Sequence, residues 1–473
     1  MDQGAMEYFD ENEIQQTVDR YLAMLEAGEE LYFDVAEFEQ IIEYFVENDD
    51  INSGKEALKR ALSQHPTSIS LQFKKATVLT ADSQYIEALK TLHFIRHVEP
   101  DNSEVYLIAG NIYLLKEERE KAEDAFQKAI ELSWENIDDT YFQIGLSWQQ
   151  VGIMDEAEKY FMLSYNENPD NENVLFELAY CLEKNEKPEE SIQYYNQYLD
   201  IDPYSATAWY NLGIVYNQME EFDKAIDAYD YALAVSDDFI SAIFNKANTL
   251  ANANRYEEAI EEYQEYIKQD PCCSDAYLYI GECFFNLNKS EDALKYFQKC
   301  IRLAPETADA WYNAGRVMFI EKQFTEAYLF FRKALTIEPG RPVYNLSYAN
   351  AADALGKRRL ARRYYAKSVL GTRDQPQFWL LLAEFYGVRG KIDTAITILK
   401  KAHLKFGEST LISCRLAAYL LEVNDQANAM TYLEDALKID VESYNDLYLY
   451  YPNAKQCEPI NQLITQYKTL KHI

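Results

Sequence analysis

The sequence predicts an all-α solenoid of about twelve helix-turn-helix units closed at both ends by capping helices. Three observations predict it. A pattern of apolar residues recurs every 34 residues, glycine or alanine returns at fixed places within that period, and proline falls near its end. A period between about 20 and 50 residues marks a stack of units, each of which buries its apolar face only against its neighbours. Units start at Val35, Ile69, Ser103, Asp138, Glu172, Ala206, Ile240, Ser274, Ala308, Pro342, Pro376 and Thr410, with one residue inserted before Asp138. The expected organisation is an N-terminal cap over 1–34, the solenoid over 35–443 and capping helices over 444–473.

In the N-terminal cap, Ile14, Val18, Tyr21, Leu22 and Leu25 recur at helical spacing, with Glu11, Glu13, Gln15, Gln16 and Asp19 opposite. The acidic stretch that opens the chain lacks the basic-then-apolar pattern of a secretory signal. Within the units, position 8 is glycine or alanine in all but the first, which has Ile42; Gly110, Gly213, Ala247 and Gly315 are examples. Position 20 repeats the rule on the second helix, as in Ala122, Ala225 and Ala327. Bulky residues alternate with these: Trp209, Trp311 and Trp379 at position 4, and Phe126, Phe161, Tyr229, Phe297 and Phe331 at position 24. Small positions facing large ones let neighbouring helices interlock. Proline closes the second helix at seven unit ends, Pro100 and Pro203 among them, and is replaced at Trp134, Asp237, Arg373, Gly407 and Val441. At the C-terminus, Tyr444 to Tyr451 reads as a short aromatic helix stopped by Pro452. Ile460, Leu463, Ile464, Tyr467 and Leu470 then line one face of a last helix, with Gln462, Gln466 and Lys468 toward water. Both ends read as capped, so the expectation is a complete protein.

This pattern of small, aromatic and proline positions resembles the tetratricopeptide repeat (TPR) family over about 400 residues. The resemblance implies a right-handed superhelix whose first helices line a concave groove through positions 2, 5, 6, 9, 12 and 13. Position 5 then supplies an apolar stripe that includes Phe142, Phe176, Tyr210, Phe244 and Tyr312. Position 6 supplies Gln143, Asn211, Asn245 and Asn313, and position 9 supplies Asn248, Glu282, Arg316 and Asn350. An amide side chain carries both a donor and an acceptor, so a row of them can clamp the backbone of an extended peptide. The position-6 asparagines are similar to the ladder lining the repeats of O-linked GlcNAc transferases, though Glu177 and Tyr279 interrupt it here. In the alternative, part of the stripe packs between helices and the asparagines are only solvated. Repeats of this family that grip carboxylates place lysine and arginine in the groove; here Glu104, Asp139, Glu183, Asp275, Glu282 and Asp309 stand there, which favours a neutral or basic ligand.

Charge is distributed unevenly. The formal net charge is −34; residues 341–473 hold 18 Lys and Arg against 13 Asp and Glu, and residues 1–340 hold 27 against 66. So acidic a chain is repelled by phosphate backbones and anionic lipid, which argues against nucleic-acid or membrane binding. Arg358, Arg359, Arg362 and Arg363 go against the trend. They read as a solvated face or as a basic docking patch for an acidic partner, a second copy included.

Little in the chain points to chemistry. No phosphate loop, nucleophile elbow or dinucleotide fingerprint occurs, and no segment is left over for a catalytic domain. His93 and His97 stand at i, i+4 without a third ligand, so neither a metal nor a cofactor is expected. The seven cysteines show no zinc spacing and read as free thiols in a reducing cytoplasm. The expectation is a cytoplasmic, non-enzymatic scaffold binding a protein or peptide in its groove. The alternatives are a structural or self-assembling subunit that uses its outer surface or ends, and an accessory subunit that recruits substrate to an enzyme.

Overall fold

The computed structural model describes residues 11–28, 30–370 and 375–470. Met1 to Asp10 and Arg373 lie outside the described residues, as do the side chains of Glu11 and Glu13. Among the described residues the regular structure is helical throughout, without strands. Twelve antiparallel helix pairs follow the 34-residue register. Their first helices begin at the expected residue except in the fourth pair, which starts at Ile137, and the eleventh, which starts at Gln377 with Pro376 as the N-cap.

The turn inside each pair is one motif repeated twelve times. In the first, the Asp50 amide donates to the Phe45 carbonyl at 2.9 Å and the Asp49 amide to that of Val46 at 3.2 Å, with Asp49 at φ 58°. That is a Schellman C-cap, which needs one left-handed residue. Position 15 provides it everywhere, as Gly152, Gly356 and Gly390 but also as Glu117, Glu186, Glu220 and Lys322. Between pairs the second helix stops on an extended residue, usually followed by proline, which cannot continue it.

Close packing inside a pair depends on the match between positions 8 and 24. Where position 8 is glycine, the ring sixteen residues later lies over it: a β-carbon on Gly145, Gly213 or Gly281 would come within 2.6 Å of Phe161, Tyr229 or Phe297. Where it is alanine, the partner is leucine or tyrosine, as in the buried pairs Ala76 with Leu92 and Ala179 with Tyr195. The first pair inverts the arrangement, with Ile42 on the first helix and Gly54 on the second, both buried. Two compact units result, Met1–Phe239 and Ile240–Ile473, each holding six pairs.

The caps differ in detail from the sequence reading. In the helix Glu11–Ala27, Val18, Tyr21 and Met24 are buried while Leu22 and Leu25 are exposed. The helix is turned so that Tyr21 meets Phe33 and Phe45, with ring centroids 5.8 and 6.1 Å away. In the last helix, Glu458–Leu470, Ile460 and Ile464 are buried but Leu470 is exposed. Lys468 is drawn from water to the Tyr444 hydroxyl, 2.8 Å away.

Candidate functional site

Each second helix packs on the first helix of its own pair and, within a compact unit, on that of the next pair. Successive first helices also touch, as Ile69–Ala81 does Ser103–Leu115, and Ala308–Ile320 does Pro342–Ala354. This closer approach puts the first helices on the inner side of each stack, where the candidate groove residues stand.

The five position-5 rings are half-buried, and what covers them is the protein itself, while Phe73, Leu278 and Leu380 at the same position are buried. In the first unit Phe142 leans on Phe161 (5.6 Å between centroids), Phe176 on Tyr198 (5.4 Å) and Tyr210 on Phe239 (4.9 Å). In the second, Phe244 leans on Tyr266 (4.9 Å) and Tyr312 on Tyr344 (4.8 Å). Each ring therefore joins a first helix to the chain around it and stays partly exposed.

The amides fall into three groups. Gln143 is exposed, and Asn211 and Asn245 are half-buried. Asn248 and Asn350 each use the carbonyl end to accept from a tyrosine on the second helix of their own pair, Tyr263 at 2.5 Å and Tyr365 at 2.6 Å. Only their NH2 ends remain for a ligand. Asn313 is only 3% exposed; its NH2 donates to Glu282 at 2.8 Å and its carbonyl accepts from Arg316 at 3.0 Å. Both ends of Asn313 are thus occupied, contrary to the open amide expected there, because the neighbouring pair presents a carboxylate at hydrogen-bonding distance. Burial pushes the Glu282 carboxyl above the usual range, with the Asn313 bond and the Arg316 charge opposing. Arg316 lies over the Phe285 ring at 4.2 Å. Glu282, Asn313 and Arg316 therefore form one fastened cluster between two pairs.

The basic patch lies elsewhere. Arg358, Arg359, Arg362 and Arg363 are all exposed on the helix Arg358–Leu370, and none forms an ion pair among the described residues. The imidazoles of His93 and His97 contact each other, Nε2 to Nε2, at 3.0 Å, and Arg96 lies 3.0 Å from His93 Nδ1. Among the described residues no three His, Cys, Asp or Glu side chains are grouped to hold a metal ion, and no helix is long and apolar enough to cross a membrane.

One feature was not recognised in the sequence. A cleft of about 940 Å3 runs along the second, third and fourth pairs, lined by Thr77, Thr80, Glu104, Asn111, Trp134 and Asp139 among others. The inserted residue and the missing proline at Trp134 were its visible signals.

Tetratricopeptide repeat models match residues 103–133, 154–206, 206–239, 244–305 and 284–342. Among relatives, the general transcriptional corepressor ssn6 of Schizosaccharomyces pombe is 27% identical over 127 residues, 27% of this chain and 12% of its own. Anaphase-promoting complex subunit 3 of the same organism is 21% identical over 133 residues, 28% of this chain and 20% of its own. The matched region thus spans a fifth or less of these relatives. Similar solved structures include YrrB, described as a TPR protein with an unusual peptide-binding site (24% identity, TM-score 0.35, 39% of this chain and 95% of that one). Another is a tetratricopeptide repeat protein from Parabacteroides merdae ATCC 43184 (19% identity, TM-score 0.39, 53% and 98%). The matches at 103–133 and 206–239 coincide with the third and sixth helix pairs, and the matched stretches consist of tetratricopeptide repeats.

Proposed function

We propose that the chain is a non-enzymatic protein-interaction scaffold that receives extended protein segments along the inner faces of its first helices. The observation that carries this reading is the row of partly exposed rings and amide ends on those faces: Phe142, Gln143, Phe176, Tyr210 and Asn211 in one unit, and Phe244, Asn245, Asn248 and Asn350 in the other. Rings give contact area at little entropic cost, and amides bond a peptide backbone without reading its sequence. The carboxylates on the same faces favour a neutral or basic segment. Relatives named as a corepressor and as a subunit of a complex accord with an interaction role.

A second reading is favoured by the four unpaired arginines of Arg358–Leu370, which suit an acidic partner, a second copy among them. The two readings separate in one experiment. Partners are captured from the native organism on the wild type, on Phe176→Ser/Phe244→Ser, and on a variant with Arg358, Arg359, Arg362 and Arg363 changed to glutamate. Loss with the ring substitutions alone supports the inner face; loss with charge reversal alone moves the site to the outer helix and refutes the first reading.

A further inference from the structure

Of the second helices in the twelve pairs, Arg358–Leu370 is the most basic and Tyr256–Gln269 the most acidic, and both lie in the compact unit Ile240–Ile473. On the first, Arg358, Arg359, Arg362 and Arg363 stand at i, i+1, i+4 and i+5. On the second, Glu257, Glu258, Glu261 and Glu262 stand at the same spacing. Residues so spaced share one face of a helix, so the unit carries two helical faces of opposite sign in matching register.

Neither face is neutralised from within. The four arginines form no ion pair among the described residues, and neither do Glu257 and Glu261. Glu258 and Glu262 are held by Arg255 and Lys246, each at 2.6 Å. Two helix pairs stand between the two faces along the chain. The arginines also sit where a helix tolerates them least. Most second helices open with an acid in the first turn, such as Glu120, Asp155, Glu189 or Glu326, which suits the partial positive charge of a helix N-terminus; Arg358 and Arg359 stand there instead. An anion brought from outside would relieve that repulsion.

We propose that the arginine face docks on the glutamate face of a second copy of this chain. The inference rests on the outer-helix reading above and names its partner. Of the chain's 45 Lys and Arg and 79 Asp and Glu, residues 240–473 hold 29 and 28, which leaves 16 and 51 for residues 1–239. The unit that carries both faces is therefore close to neutral, and two such units approach without net repulsion. A nucleic acid or an anionic membrane is instead repelled by the excess on residues 1–239. Arginine suits the contact because its planar fork bonds a carboxylate through two N–H groups at once. Each copy offers both faces, so a two-fold arrangement satisfies the arginines of both and closes as a dimer.

The test is analytical ultracentrifugation of the full chain. Concentration-dependent dimers are expected at about physiological ionic strength, with a dissociation constant that rises at least about tenfold toward roughly 1 M salt, where the fields reach only about 3 Å. Arg358→Glu/Arg359→Glu/Arg362→Glu/Arg363→Glu and, separately, Glu257→Lys/Glu261→Lys should each weaken the dimer by at least about tenfold. Mixing the two reversed proteins should restore association as a heterodimer, because each presents the charge that the other has lost. Mixing would not repair a folding defect. A wild type that stays monomeric overturns the proposal, as does undiminished dimerisation of either variant or a mixture that fails to associate. If the wild type is monomeric but reversing the arginines still abolishes partner capture, the outer-helix reading stands with another acidic protein as partner; if capture is unchanged, that reading falls as well.

Discussion

Replacing Gly213 by alanine adds one methyl group where two helices come closest. A β-carbon there would lie 2.6, 2.8 and 2.9 Å from three ring carbons of Tyr229, whereas carbon atoms rest at roughly 3.5–4.0 Å. The ring must retreat by about 1 Å. It has little room, because Tyr229 is 1% exposed and abuts Tyr210 at 6.0 Å between centroids. Overpacking of this kind costs ~1–3 kcal/mol, and the better helix propensity of alanine offsets about 1 kcal/mol. The expected net loss is therefore up to ~2 kcal/mol. Gly54 supplies the control, since its β-carbon would meet nothing nearer than Val46 Cγ2 at 3.6 Å, an ordinary contact. There only propensity operates, and Gly54→Ala should stabilise by up to about 1 kcal/mol. Both residues lie in one compact unit, so one chemical change should act with opposite sign at two helix interiors. Adding Tyr229→Leu to Gly213→Ala recreates the alanine–leucine match of Ala76 with Leu92 and should recover part of the loss. A stack of repeats opens locally, so the measurements are urea denaturation followed by circular dichroism and amide exchange across Ala206–Gln218 and Phe222–Val235. Shifts of equal sign and size for Gly54→Ala and Gly213→Ala would refute the reasoning.

Three other outcomes are expected. Lys322 is held at φ 60° in its Schellman turn, so Lys322→Gly should raise stability by about 0.5–1 kcal/mol in thermal melts while Lys322→Ala gains nothing. Asn313→Ala strips partners from the partly enclosed Glu282 and from Arg316 and should cost about 1–3 kcal/mol, against a few tenths for a surface amide such as Gln143→Ala. Glu104 and Glu282 have carboxyls raised from 4.5; a group raised in the folded state contributes stability that is present below its unfolded value and lost as pH rises through its folded value. Denaturation midpoints should therefore fall as pH rises from about 4.5, and fall less in Glu282→Gln; an equal fall in both proteins would count against the burial of Glu282.

The repeat, the pair boundaries and the small and large positions were legible from the chain because each arises over a short, constant separation. Position 8 meets position 24 sixteen residues on, and whichever side chain stands there must fit its partner, so the constraint is written into every unit. The left-handed residue at position 15 was not read from the sequence: Gly152, Gly356, Gly390, Asn254 and Asn288 suit it, but Glu117 and Lys322 in the same place obscure it. The inner face was not legible to the same degree. Asn211 and Asn313 occupy the same position of their units, yet one is half-buried and the other is sealed between Glu282 and Arg316. The capping helix likewise exposes Leu22 and buries Met24, because Phe33 and Phe45, outside that helix, set its rotation. Sequence alone determined which helices pair and how closely. Only the tertiary structure decided which polar groups on their surfaces are left to bind, since a side chain's partners come from the neighbouring pair and hydrogen bonds, unlike apolar contacts, are made or lost over less than 1 Å.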